Sequence, residues 1–233
     1  MAEPVCVITG VGPGNGAAFT RRFVSAGYRI AMLARSTDFL REMEADVPAA
    51  RGYPADVSDA TSVAAVFAQI RDELGPVDAL IHNAGSGSFT AFLDTNPEEL
   101  ERAWRVNALG LFLCGQEAVR DMLPRGRGTI IAIGATASLR GGANAAAFAA
   151  GKAAQRSLAQ SMARGLGPRG VHVALVIIDG VIDTPRTRAA FAERPPDFFL
   201  KPEAIAETVY HVAHQDRSAW TFELDVRPFA EKW

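Results

Sequence analysis

The stretch ITGVGPGNGAAF, Ile8 to Phe19, decides the fold. Gly10, Gly12, Gly14 and Gly16 fall between a short β-branched run, PVCVITG, and an amphipathic run, GNGAAFTRRFVSAG. Glycines let a backbone approach a pyrophosphate closely, and a helix N-terminus offers free amides and partial positive charge. A glycine-rich turn alone is a weak signal, but this one follows a strand and opens a helix. Gly10, Gly12, Gly14, Asn15 and Gly16 are the candidate phosphate cradle.

The rest of the chain repeats that rhythm. YRIAMLAR reads as a second strand, RGYPADV as a short third strand or loop, VDALIHNAG as a fourth, GTIIAIGA as a fifth and GVHVALVIID as a sixth. These are nearly continuous apolar runs, as expected when helices cover both faces of a sheet. Between them lie helical patterns: STDFLREMEADV with Ser36 or Thr37 as cap, and SDATSVAAVFAQIRDEL with Ser58 as cap. One long helix covers NPEELERAWRVNALGLFLCGQEAVRDML, with Pro97 near its start, and another covers ANAAAFAAGKAAQRSLAQSMARGLG. The alternation predicts a single doubly wound α/β domain over residues 1–233. After the sixth strand, TPRTRAAFAERPPDFFLKP carries paired prolines and exposed-looking aromatics; it reads as a lid at 185–202, with an inert surface excursion as the alternative. PEAIAETVYHVAHQ is a further helix and SAWTFELDVRP a last strand at a sheet edge.

Composition narrows the class. A chain of 233 residues supports one sizeable core, and a net charge of −2 provides no basic field for nucleic acid or an anionic membrane. Cys6 and Cys114 lie in apolar surroundings and read as buried reduced thiols. No secretory signal is recognisable and the apolar runs are too short for a bilayer, so a cytoplasmic protein is expected. His211 and His214 stand three apart on a helix without a third ligand, and no metal site is expected.

Taken together, several motifs resemble the short-chain dehydrogenase/reductase family. Thr9 to Gly16 has its Thr-Gly-x-x-x-Gly-x-Gly spacing, HNAG (His82, Asn83, Ala84, Gly85) resembles its signature after the fourth strand, and VNALG supplies its helix asparagine at Asn107. PADVSD places Asp56 and Val57 where the family contacts adenine, Lys152 falls on the lysine of its Tyr-x-x-x-Lys, and IDGVIDTP retains Gly180 and Thr184 after the sixth strand. The resemblance covers essentially the whole chain. It implies a Rossmann-type sheet of about seven strands, a nicotinamide cofactor held by these residues, and a homodimer or homotetramer built on the two long helices. At the end of the second strand an acid would select NAD; Ala34 stands there, followed by Arg35, which can pair with a 2′-phosphate. NADP(H) is the expected cofactor.

The resemblance also exposes a departure. The family's proton-transferring tyrosine would fall on Phe148 and its oxygen-holding serine on Ala135, whereas Asn107 and Lys152 match. A positioned acid or base is worth about 10²–10⁴ in rate, so ordinary carbonyl reduction should be severely impaired. Thr136 and Ser138 could hold a substrate oxygen or simply cap a turn. Asp179, in the place of the family's proline, could donate a proton or cap a loop. The candidate catalytic set is Asn107, Lys152, Asp179 and Ser138. Two functional readings follow: an NADP(H)-dependent oxidoreductase that reduces a conjugated C=C or activated carbonyl, or a catalytically impaired NADP(H)-binding sensor or partner-binding protein. Phe191, Phe198 and Phe199 in the lid favour an apolar or aromatic small molecule.

Overall fold

Alternation along the strands sorts the core into two layers. In β1 (Val5–Thr9), Val5 and Val7 face one side of the sheet and Cys6 and Ile8 the other. The computed structural model describes residues 3–231. After β1 come α1 (Asn15–Val24), β2 (Arg29–Ala34), α2 (Thr37–Asp46), β3 (Ala50–Pro54), α3 (Ala60–Glu73) and β4 (Val77–His82). The second half holds α4 (Pro97–Trp104), α5 (Gly110–Met122), β5 (Gly128–Ala135), α6 (Ala146–Leu166), β6 (Val171–Ile178), β7 (Val181–Ile182), α7 (Pro185–Ala190), β8 (Phe199–Leu200), α8 (Pro202–Ala213) and β9 (Glu223–Val226).

Seven strands form one parallel sheet in the order β3-β2-β1-β4-β5-β6-β9. Helices α1, α2 and α8 bury Phe19, Phe23, Leu40, Met43, Ile205 and Val209 on one face. On the other face, α3, α5 and α6 bury Phe67, Ile70, Leu111, Cys114 and Ala159. This is the expected doubly wound α/β domain, with both thiols buried and unpaired. The order reverses between β1 and β4, and such a switch point opens a crevice at the strands' C-terminal ends.

Of the two readings of RGYPADV, the strand holds, running through Pro54 and pairing with β2. Other local expectations are corrected. Ser58 does not cap α3; Asp59 does, accepting from Thr61 N at 3.0 Å, because Ser58 is bonded to Asp56 instead. Ser36 is the N-cap residue of α2 but makes no side-chain cap bond. The long helix starting at Pro97 is interrupted by a π-helical turn, Arg105–Leu109, between α4 and α5. The stretch after β6 folds into the small parallel pair β7–β8 enclosing α7, and this buries Phe199, which the sequence suggested would be exposed. No helix among the described residues is long and apolar enough to cross a membrane.

Candidate active site

The glycine turn is shaped by close backbone approach. Gly10 has φ +69°, and a Cβ there would lie 2.5 Å from Ala84 Cα, so the turn after β1 rests directly on the stretch after β4. Asn83 Nδ2 donates to Gly10 O at 2.8 Å, and Ala84 N donates to Thr9 Oγ1 at 3.1 Å. Gly14 has φ +113°, and its Cβ would meet the Thr184 methyl at 2.8 Å, which ties the cradle to the segment after β7. Over Gly12 the space is open. Asn15 opens α1, is buried, and has neither side-chain polar atom partnered by protein. Buried polar atoms are normally satisfied, and the unpartnered Nδ2 at a helix N-terminus can donate to the oxygens of a bound diphosphate.

From this cradle a cleft of ≈ 1060 Å³ runs past Ala34, Arg35 and Ser36 to Asp56, Val57 and Ser58. Ser58 donates to Asp56 Oδ1 through Oγ at 2.7 Å and through N at 2.9 Å. These bonds, with Arg35 and Arg105 nearby, hold the Asp56 carboxyl below its usual range. Arg35 is exposed at the rim, and the strand-end position before it is an alanine, so no carboxylate there opposes an anionic substituent. Arg102 and Arg105 also line the cleft, Arg105 Nη2 donating to Ser58 O at 3.2 Å. Sequence reading missed both, although Arg105 stands just ahead of VNALG.

At the far end the π-helical turn presents Asn107. Its Nδ2 donates to Ala103 O at 2.8 Å and to Ser86 O at 3.0 Å, while Oδ1 is buried without a partner. Lys152, on α6, is buried; Nζ donates to Ile133 O at 2.8 Å and to Gln155 Oε1 at 3.0 Å. Burial pushes the Lys152 ammonium down to about 7. A Cβ on Gly85 would stand 3.5 Å from Asn107 Oδ1 and 3.7 Å from Lys152 Nζ, so both groups border the same floor of the cleft. Beneath it, His82 Nδ1 bonds Thr9 Oγ1 at 3.2 Å; burial, with Lys152 adding to it, lowers this imidazole to about 3.

Phe148 turns toward this floor with its ring centroid 6.0 Å from Lys152 Nζ, and it packs against Phe89 at 5.4 Å. Phe89, Phe92 and Leu93 form a largely exposed apolar rim that sequence reading did not single out. Ser138 Oγ is bonded to Ala135 O at 2.7 Å. Asp179 accepts from Thr136 Oγ1 at 2.5 Å and pairs with Arg227 at 3.3 Å. It makes no bond to Lys152 or Asn107 among the described residues, and this partner set favours anchoring the end of β6 over donating a proton. Arg227 is distant in sequence and carried no local signal. Gly180, with φ +152°, sits against Pro228. Thr184 is occupied as the N-cap of α7, where it forms a capping box with Thr187. In the segment between β7 and β8, Phe191 and Phe198 pack at 5.8 Å, and Phe199 lies beneath the Arg188 guanidinium. His211 pairs with Glu207, and His214 bonds Tyr28 and Tyr210.

Known proteins resemble this chain in sequence and fold. Residues 4–195 match the family model described as short chain dehydrogenase. The chain is 33% identical over 195 residues to the short-chain dehydrogenase/reductase eriH of Hericium erinaceus, covering 80% of this chain and 77% of that one. It is also 33% identical over 201 residues to the inactive 2-(S)-hydroxypropyl-CoM dehydrogenase 2 of Xanthobacter autotrophicus, covering 80% of this chain and 87% of the other. Among solved structures, a metagenomic short-chain oxidoreductase in complex with NADP superposes with a TM-score of 0.84 at 30% identity, covering 97% of this chain and 98% of its own. The glycine cradle, the switch-point cleft and the Asn107–Lys152 floor thus stand in a chain that belongs to the short-chain dehydrogenase family.

Proposed function

We propose that the chain is an NADP(H)-dependent oxidoreductase whose proton comes from a group other than residue 148. Its substrate is an apolar or aromatic small molecule bearing a conjugated C=C or an activated carbonyl. The observation that carries this reading is the floor beside Gly85. Lys152 and Asn107 are assembled and buried there, while the ring of Phe148 stands where a hydroxyl would be needed. When bound, the nicotinamide supplies the hydride. The amides after β1 and the Asn15 side chain would hold the diphosphate, with Asn83, Ala84 and Gly85 as the opposite wall. Arg35 meets a 2′-phosphate with no acid at position 34 to repel it. Asp56 and Val57, which line the cleft, would border the adenine end, and Thr184, whose methyl abuts Gly14, would with Gly180 close the nicotinamide end. The NADP complex of the metagenomic relative supports the choice of cofactor. Asn107 and Lys152 lead the catalytic set; Asp179, held by Thr136 and Arg227, and Ser138, bonded to Ala135 O, are its candidates for handling the proton and the substrate oxygen, and the segment 185–202 serves as the lid.

The same reading places the protein in the cytoplasm as a homodimer or homotetramer built on α5 and α6. An apolar groove of ≈ 380 Å³ between these helices, lined by Phe112, Val119, Leu158, Met162 and Leu166, supports that assembly.

A second reading, an NADP(H)-binding protein with impaired catalysis, is favoured by the engagement of both Asp179 oxygens and by the relative named as inactive. Fluorescence titration with NADPH and NADH, followed by a panel of enones and simple ketones, separates the two. Tighter NADPH binding with turnover of enones supports the enzyme; equal or tighter NADH binding overturns the cofactor choice. Asp179→Asn then reports on the acid. Strongly reduced turnover at unchanged NADPH affinity makes Asp179 the donor, whereas unchanged turnover leaves it an anchor.

A further inference from the structure

Gln155 lies fully buried on α6, three residues beyond Lys152. Its Oε1 accepts from Lys152 Nζ at 3.0 Å, and the same ammonium donates to Ile133 O at 2.8 Å. Its Nε2 is sealed in the core with no partner. A buried amide ordinarily satisfies both ends, so a leucine of similar size would avoid the defect. The ammonium carries donors only, so the amide oxygen must face it; turning the amide over would set donor against donor. On the other side, the Phe148 ring offers no lone pair. Among the described residues, Gln155 is the one side-chain hydrogen-bond acceptor of Lys152.

Charged neighbours do not take over this task. His82 of β4 is buried and neutral. Arg105 of the π-helical turn reaches to Ser58 O and Glu101. On α4, which packs against α6, Glu98, Glu101 and Arg102 line the outer cleft, and Glu99 faces Thr90. Asp179 at the end of β6 is held by Thr136 and Arg227, and Arg156 of α6 is paired with Glu223.

We propose that Gln155 is a positioning residue whose amide oxygen pins the Lys152 ammonium against Ile133. The remaining N–H of Lys152 is thereby left for the floor beside Gly85 and Asn107. Burial pushes this ammonium down to about 7, and an acceptor bonded to its charged form works against that push. The consequence for catalysis rests on the oxidoreductase reading; the placement of Lys152 does not.

The chain has three lysines, Lys152, Lys201 and Lys232, so lysine-selective isotope labelling yields few side-chain signals to assign. The ε-methylene resonance of Lys152 is titrated in the cofactor-free full chain for the wild type, Gln155→Leu and Gln155→Glu. Gln155→Leu should lower the Lys152 midpoint by about one pH unit or more, and Gln155→Glu should raise it by a similar amount. NADPH affinity measured at pH 8 should fall in the leucine variant and recover in the glutamate variant. A folded variant of either kind whose midpoint stays within roughly 0.3 unit of wild type overturns the proposal. Should Gln155→Leu fail to fold, Gln155→Glu decides alone. If wild type binds no NADPH, the oxidoreductase reading fails, while the Lys152 midpoints still report on Gln155.

Discussion

Around Gly10 the backbone makes the site, whereas around Lys152 the side chains do, and they are bonded to one another. On the first side, the turn after β1 leans on Ala84 so closely that no Cβ fits, and the cleft over Gly12 is open. On the second, Lys152 is held by Gln155 and Ile133, Asp179 by Thr136 and Arg227, and Thr184 by Thr187. The contrast teaches that the backbone wall of the cleft and the side-chain network at its floor are set by different physical rules. The first depends on turn geometry and tolerates little change. The second depends on a few side chains that can be exchanged while the walls stand.

The sharpest way to break that contrast is to put hydroxyls back on the second side. Phe148→Tyr combined with Ala135→Ser should raise ketone reduction by about 10²–10⁴-fold, since a positioned acid is worth that much and Lys152 is already in place. A steady-state assay on simple ketones checks it, and an unchanged rate would show that the second side differs by more than two groups. On the first side, Gly10→Ala forces a left-handed alanine against Ala84 Cα. A loss of about 1–3 kcal/mol from the backbone conformation, with further loss from the clash, should appear in chemical denaturation along with lost NADPH binding. Normal stability in that variant would contradict the tight approach.

Arg35→Ala probes the rim. Charge-assisted bonds to a phosphate contribute about 1.5–3 kcal/mol, so NADPH affinity should drop by roughly tenfold or more while NADH affinity hardly moves. Equal losses for both cofactors would remove Arg35 from the 2′-phosphate. An effect spread over several pH units, and absent at neutral pH, lies beneath the junction of the two sides, at His82. Its folded value, about 3, is below the ordinary imidazole value. The unfolded chain therefore binds the extra proton first, and stability is lost as pH falls from about 6.5 toward 3. The slope from this residue is at most about 1.4 kcal/mol per pH unit. Thermal melts of wild type against His82→Asn should diverge in that window alone. Parallel curves would mean that the imidazole is not buried neutral.

Near-continuous apolar strands and the glycine turn follow from local rules, and so does the sheet they predict: periodicity and turn chemistry act over a few residues. Asn107, Lys152, Asp56 and Arg35 all stand along the cleft and its floor; the first three were legible through the family resemblance of their motifs, and Arg35 was legible through its place at the end of the second strand. The π-helical turn at Arg105–Leu109 was not, since an apolar helix reads alike with or without one inserted residue. Nor was Asp59 as a cap, because Ser58 and Asp59 are both good caps and the bond of Ser58 to Asp56 settles the choice. Sequence by itself thus determined the architecture, the cofactor cleft and the residue types at its floor. Only the tertiary structure decided that Asp179 meets Arg227, that Phe89 covers Phe148, and that Gln155 turns its oxygen to Lys152. The first two join segments far apart in the chain, and the third depends on burial that removes water as a competing partner for the ammonium.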